Sequence, residues 1–341
     1  MVRALSDGAS QRVRDAVAAL AAGRAVVVAD DADRENEGDL IFAATHATPK
    51  LVAFTVRHTS GFLCVALTEA DCDRLALPPM HRGGDDPYDT AYRVTVDHRG
   101  TGTGISATDR AATIAALASP ESTPAEFTRP GHVVPLMARA GGVLRRPGHT
   151  EAAVDLAQLA GLPPAAGLCE LVSRDRPGAM ARGDELTRFA TDHDLVYLTV
   201  ADIVTHRRRT EAQVRRASPL PTADGHLQPV TYQGIYDDSH HVALVTGPRG
   251  DDVPVYVHTE CLTGDVLRSH TCPCGRALEE ITARFTAAGR GVIVYVRPAG
   301  GPSPCTASDR DLTALTIAHW ILTDLGVRSA RPVAATTTRA A

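Results

Sequence analysis

Two short apolar runs, Ala25-Val26-Val27-Val28-Ala29 and Leu40-Ile41-Phe42-Ala43-Ala44, enclose the stretch Asp30-Asp31-Ala32-Asp33-Arg34-Glu35-Asn36-Glu37-Gly38-Asp39. The runs read as buried strands, and the stretch between them packs six carboxylates and one arginine into ten residues. Like charges at this density repel, and a fold tolerates them only when they are solvated or neutralised by a cation. Two outcomes stay open on these residues alone. A charge run usually ends as a solvated surface loop. A loop at the end of a buried strand is also where sheet proteins place ligands, and crowded carboxylates suit a hard cation, Mg²⁺ or Mn²⁺.

Length argues for two domains, since 341 residues exceed one ordinary core. With 44% hydrophobic and 22% charged residues the chain reads as globular. A net charge of −5 gives no general attraction to nucleic acid or anionic membranes, and the arginines are scattered apart from Arg207-Arg208-Arg209 and Arg215-Arg216. No apolar run approaches the ~20 residues that span a bilayer. The opening segment lacks the apolar core of a signal peptide, so a cytoplasmic protein is expected. The seven cysteines are then thiols or metal ligands, not disulfides. Lys50 is the only lysine, which removes Schiff-base chemistry and the lysine of a nucleotide-binding P-loop.

Further along, Ser10 is placed to cap a helix with Val13, Val17 and Leu20 on one face, and Thr48-Pro49 opens another. Residues 62–67 and 92–96 read as strands, and 81–89 as a polar loop. The glycine-rich segment 100–110 offers backbone donors ahead of an alanine-rich helix, an arrangement that can hold phosphate. Two Arg-Pro-Gly-His motifs follow, ending at His132 and His149, and each reads as a turn presenting a histidine beside an arginine. Glu170 lies inside an apolar run, Leu168-Cys169-Glu170-Leu171-Val172, where a carboxylate is either ion-paired or a general base.

The charged, proline-punctuated segment 206–229 places a domain boundary near residue 218. Beyond it, Cys261, Cys272 and Cys274 fall in a short window. Cys272-Pro273-Cys274 is too close for an unstrained disulfide, so a three-thiolate zinc site with one open position is expected.

Together these motifs carry a family resemblance. Asp33-Arg34-Glu35-Asn36-Glu37-Gly38-Asp39, Arg57-His58-Thr59-Ser60-Gly61, Thr103-Gly104-Ile105-Ser106-Ala107, Arg129-Pro130-Gly131-His132 and Gly148-His149-Thr150-Glu151-Ala152 resemble 3,4-dihydroxy-2-butanone 4-phosphate synthase over about residues 10–210. His258-Thr259-Glu260-Cys261-Leu262-Thr263-Gly264-Asp265 and Cys272-Pro273-Cys274-Gly275 resemble GTP cyclohydrolase II. The resemblance implies an α/β (α+β) fold: a mixed-sheet synthase domain with flanking helices over 1–210, and a smaller α/β domain over 219–341. It implies conversion of ribulose 5-phosphate to the four-carbon ketone phosphate and formate in a Mg²⁺- or Mn²⁺-dependent homodimer with sites at the subunit interface. By motif, Glu35 and His149 hold the metal with Glu37 nearby. Arg34, Asp39, Arg146 and Thr150 contact the substrate and its phosphate, and His132, Glu170 and Glu37 serve catalysis.

The second half departs from its family at the chemistry. Residues 297–304 replace a Glu-Gly-Arg-containing stretch, and a long segment after it is missing. Asp309-Arg310-Asp311 lacks the spacing of the family's catalytic Asp and Arg. Tyr256 and Ala277 stand where arginine and glutamine are expected, and the closing asparagine-proline-lysine contact is absent. No GTP ring opening is expected, whether or not zinc binds, and the domain would serve stability, dimerisation or regulation.

Overall fold

The computed structural model describes residues 2–81, 83, 86–218, 227–297, 305 and 312–336. These form two compact units, Met1–Arg207 and Arg208–Ala341.

In the first unit, strands β1 (Val26–Ala29), β2 (Gly38–Ala43), β3 (Cys64–Leu67), β4 (Val96–His98), β5 (Phe127–Met137), β6 (Ala166–Glu170) and β7 (Val196–Thr199) make one mixed sheet, ordered β4-β5-β3-β6-β2-β1-β7. The helices are α1 (Val2–Ala21), α2 (Pro49–His58), α3 (Glu69–Arg74), α4 (Ala107–Ala118), α5 (His149–Leu159), α6 (Asp184–Asp192) and α7 (Val200–Thr210). Side chains of the central strands alternate between two cores. Val27, Leu40, Phe42 and Val65 meet Val52, Ile114, Leu117 and Phe189 on one face. Val26, Val28, Ile41 and Ala66 meet Val13, Leu20, Leu156 and Ile203 on the other. Burial on both faces is why residues 25–29 and 40–44 are apolar throughout, without a polar alternation. Truncating a fully buried side chain such as Phe42 to alanine would cost about 3–5 kcal/mol.

The second unit carries a six-stranded mixed sheet of β8 (Val214–Arg216), β9 (Gln228–Gly234), β10 (His240–Thr246), β11 (Val253–Thr259), β12 (Gly291–Val296) and β13 (Ala330–Pro332). Helix α8 (Cys274–Ala288) covers Ile293 with Ile281 and Phe285, while α9 (Leu312–Asp324) sets Ile317 and Ile321 against Val255, Val292 and Val294.

Several local expectations change. Helix α1 begins at Val2, so Ser10 lies inside it and not at its cap. Of the strand expected over residues 92–96 only Val96 joins a ladder, as the first residue of β4, while Tyr92 and Arg93 make isolated bridges. Residues 129–132 are not a turn. They bulge from β5 between the pairs Val96↔Val133 and Asp97↔Thr128, because β5 runs continuously past them to pair with β3. Residues 214–216 pair with β9, so the second sheet starts before the linker expected near 218.

Candidate active site

The acidic loop is organised from its first residue. The side chain of Asp30 is fully buried, and its carboxylate accepts hydrogen bonds from the backbone N–H of Glu35 (3.0 Å) and Glu37 (2.8 Å) and from Arg34 Nη1 (2.9 Å). One side chain thus folds the loop back on itself and neutralises part of its charge. Arg34 Nη2 also reaches Glu35 (2.8 Å), and its guanidinium lies 5.3 Å from the centre of the Tyr88 ring.

Strand pairing then supplies the carboxylates. Asp39 on β2 lies directly opposite Glu170 on β6, so the two project from neighbouring positions on the same face. His149, the first residue of α5, brings Nδ1 to 3.7 Å from Glu35 and 3.7 Å from Asp39. Arg34, Glu35, Asp39, His149, Thr150 and Glu170 line one cleft, with Cys64, Thr90 and Tyr92 completing its wall. Its floor is short of partners: Asp39 Oδ1 and His149 Nε2 are buried without a hydrogen bond. Burial pushes the Asp39 carboxyl up to about 7 despite the neighbouring imidazole. Burial disfavours the charged form of His149 as well, but Asp39 and Glu35 outweigh it and raise the imidazole to about 9. Glu35 is lowered, because His149 and Arg34 together exceed the cost of its burial. Ligand atoms of Asp30, Glu35 and His149 lie within 4.8 Å of one another. Since Asp30 is committed to the loop, Glu35 and His149 are the donors left for a cation. A small number of protein ligands beside unpartnered buried oxygen and nitrogen fits an ion that keeps several waters, as Mg²⁺ does.

A cationic end adjoins these groups. Arg146 Nη1 pairs with the buried Glu151 (2.5 Å), while its Nε and Nη2 donate to the Tyr88 carbonyl (3.1 and 2.8 Å). Tyr88 also donates through its hydroxyl to the Arg34 carbonyl (3.3 Å) and so ties the acidic loop to Arg146. Gly148 caps α5, and a Cβ there would meet Arg146 Nη1 at 2.5 Å and Arg34 Nη2 at 3.1 Å. The missing side chain lets both guanidinium groups converge on the first turn of α5, whose N–H groups point outward.

Three expected site residues are absent from the cleft wall. Arg146 sits behind it, as described. Glu37 pairs with Arg182 (3.3 Å), and burial raises its carboxyl. His132 is half-exposed on β5, with Nδ1 2.7 Å from Asp97 Oδ2 and its backbone N–H donating to Asp97 Oδ1 (2.8 Å). Glu170, the last residue of β6, accepts a hydrogen bond from the Ser60 hydroxyl (2.7 Å). In the glycine-rich segment before α4, two of the backbone donors are already engaged within the segment itself. The N–H groups of Gly102 and Gly104 both donate to the Asp109 carboxylate (3.1 and 3.2 Å), and Ser106 caps the helix.

In the second unit, Cys261, Cys272 and Cys274 converge as expected, but a fourth thiol joins them. Sulfurs of Cys261 and Cys272 lie 3.6 Å apart, those of Cys274 and Cys305 3.7 Å, and all four fall within 4.8 Å. All are free thiols, and an all-sulfur donor set fits zinc. The positions 298–304 and 309–311, on which the altered catalytic stretch was placed, lie outside the described residues.

Sequence reasoning missed Tyr88, Asp97 and Cys305. Tyr88 is the one aromatic in the polar stretch 81–89, and that contrast was a usable signal. Asp97 and Cys305 stand in no motif that names their partners.

Comparison with known proteins bears on both units. The family profile described as 3,4-dihydroxy-2-butanone 4-phosphate synthase matches residues 14–206, and that of GTP cyclohydrolase II matches residues 212–306. The riboflavin biosynthesis protein RibBA of Rhodococcus jostii is 58% identical over 294 residues, covering 84% of this chain and 70% of its own. The protein of the same name from Mycobacterium tuberculosis is 56% identical, with 84% and 69% covered. Among solved structures, RibBX, a two-domain 3,4-dihydroxy-2-butanone 4-phosphate synthase from A. baumannii, superposes with a TM-score of 0.75 at 34% identity, covering 95% of this chain and 94% of that one. A 3,4-dihydroxy-2-butanone 4-phosphate synthase in complex with two magnesium ions is 44% identical with a TM-score of 0.55, over 58% of this chain and 97% of that one.

Proposed function

This chain belongs to the 3,4-dihydroxy-2-butanone 4-phosphate synthase family, and from that premise we propose that its first unit converts ribulose 5-phosphate to 3,4-dihydroxy-2-butanone 4-phosphate and formate. The observation that carries the reading is the cleft floor, where Glu35, His149 and Asp39 meet and two buried polar atoms lack partners. Arg34, Arg146, Thr150 and the first turn of α5 hold the phosphate, because two guanidinium groups and helical N–H donors converge beside Gly148. Glu35 and His149 hold magnesium, with manganese as a substitute, and the ion supplies neutralisation of charge that builds on adjacent sugar oxygens.

The chain's own groups manage the protons. Asp39 and Glu170 stand side by side, with Asp39 raised to about 7 and therefore able to give or take a proton near neutrality. The Ser60 hydroxyl orients Glu170. The acidic loop, tied by Tyr88 to the Arg146 segment, excludes water from the enolised sugar. The pentose phosphate equals the four-carbon product plus formic acid in carbon, hydrogen, oxygen and phosphorus, so no net co-reactant is required. His132 is half-exposed and absent from this cleft, which supports a homodimer in which His132 of each copy serves the cleft of the other, Asp97 fixing its ring. Glu37 acts from beside the metal donors through its pair with Arg182.

The second unit does not open GTP. Tyr256 and Ala277 occupy positions where the family resemblance calls for arginine and glutamine. The rival reading, a bifunctional enzyme, is favoured by the profile match over 212–306 and the shared name of the relatives. Formate release from ribulose 5-phosphate and from GTP, assayed on one zinc-containing sample, decides between them. Release from the pentose alone supports the proposal, release from both supports the rival, and release from neither removes both.

A further inference from the structure

The four thiols of the second unit take no part in the synthase reaction, and their arrangement is built into the fold. Cys261 follows β11 by two residues and caps the π-type turn Leu262–Val266, while Cys272 and Cys274 flank Pro273 at the start of α8. The turn and the helix touch through two glycines. A Cβ on Gly264 would come within 2.9 Å of Cys272 Sγ and 2.8 Å of Cys274 Cβ, and one on Gly275 within 2.2 Å of the Gly264 carbonyl oxygen. Asp265 pins the turn from below, accepting hydrogen bonds from the Cys261 N–H (2.9 Å) and the Tyr295 hydroxyl (2.8 Å) and lying 2.9 Å from His258 Nε2. The Gly264 N–H donates to Cys261 Sγ (3.4 Å), as it would to a thiolate.

Cys305 reaches this cluster from beyond β12, its sulfur 3.7 Å from that of Cys274. Tetrahedral sulfurs held at about 2.3 Å from zinc stand about 3.8 Å apart. The separations of 3.6 and 3.7 Å match that figure, and both are far from the roughly 2.05 Å of a disulfide.

We propose that Cys305 supplies the fourth sulfur of a closed, structural zinc site with Cys261, Cys272 and Cys274. The inference rests on the sulfur geometry and deepens the reading of this unit as one without GTP ring opening, to which it would give a physical cause. Hydrolytic zinc sites keep a position for water, and four sulfurs leave none. On binding, the four thiols release their protons to solvent, and each sulfur donates an electron pair to zinc. The resulting excess negative charge sits at the N-terminus of α8, a 15-residue helix whose dipole favours it. The site would clamp the turn, the start of α8 and Cys305 together.

Zinc content and zinc-edge X-ray absorption on the full-length reduced chain test this directly. The expected result is one zinc per chain with four sulfur neighbours at about 2.3 Å. Cys305→Ser should lose one sulfur neighbour and release zinc to a competing chelator more readily by more than about 100-fold, beyond the cost of an outer-sphere change. Three sulfurs with one oxygen or nitrogen in the native chain would overturn the proposal, as would a zinc-free protein after zinc loading. If Cys305→Ser does not fold, the sulfur count in the native chain decides alone. A GTP assay on the same sample separates the two readings. Four sulfurs with GTP turnover keeps this inference and ends the claim of inactivity, whereas three sulfurs without turnover does the reverse.

Discussion

The two candidate metal centres of this chain are built on opposite plans. In the first unit, oxygen and imidazole donors line an open cleft, and Asp39 Oδ1 and His149 Nε2 are buried with nothing to bond. In the second, the four soft sulfurs of Cys261, Cys272, Cys274 and Cys305 lie within 4.8 Å of one another. A site that leaves polar atoms unpartnered holds free energy in reserve for a ligand, since a buried unsatisfied group costs about 1–3 kcal/mol. A site that closes its own coordination has nothing left to offer a substrate. On the reading proposed above, the contrast would separate a working centre from a clamp within one chain.

The largest expected effect falls on the open site. Glu35→Ala or His149→Ala should lower turnover of ribulose 5-phosphate by roughly 10³-fold or more while leaving the circular dichroism spectrum and melting midpoint nearly unchanged. Turnover within a few-fold of the native enzyme would break the comparison, because the cleft would then be no more a metal centre than any acidic loop.

Next in size is the cationic end. Arg146→Ala should raise KM by roughly 10–50-fold, with a smaller change in kcat, because a charge-assisted contact to phosphate is lost along with the tie to Tyr88. Arg146→Lys should recover only part of the loss, since one ammonium cannot serve Glu151, the Tyr88 carbonyl and phosphate together. An unchanged KM would move the phosphate site elsewhere.

The smallest effect distinguishes the units by pH. His241 in the second unit is held down to about 4, chiefly by burial, with its ring accepting from the Arg297 N–H (3.2 Å) and lying 2.9 Å from Ser239. The unfolded chain therefore binds more protons between pH 6.5 and 4, and the second unit loses stability as pH falls through that window. In the magnesium-free first unit the opposite holds. His149 is raised to about 9 and Asp39 to about 7, so their contribution is fullest in acid and declines as pH rises. Between pH 6.5 and 4.5, differential scanning calorimetry should show the second unit's transition falling by a few degrees, about 2–6 °C, relative to the first. Parallel movement of both transitions would count against His241 as the source.

How much of this was legible beforehand follows physical lines. Residues 25–29 and 40–44 announced buried strands because burial on both faces removes every polar position. Glu35, Asp39, His149, Thr150 and Glu170 could be picked out because motifs name them, and the strand register then brought Asp39 and Glu170 together. Residues 129–132 read as a turn yet form a bulge, since Pro-Gly signals an irregularity without telling whether the chain reverses or continues. Cys305 was invisible for another reason. It lies 31 residues beyond Cys274, and no spacing rule links a ligand to its site across an intervening helix and strand. Asp97 and Tyr88 likewise act through contacts 35 and 54 residues away in sequence, which only the folded chain reveals.

The account stands most directly on a magnesium titration. The full-length chain, stripped of magnesium, would be given ribulose 5-phosphate and increasing Mg²⁺ while formate is measured. Formate production that is absent without the ion and climbs to saturation as it is added is the predicted result. A rate indifferent to magnesium, or no formate at any concentration, would contradict it.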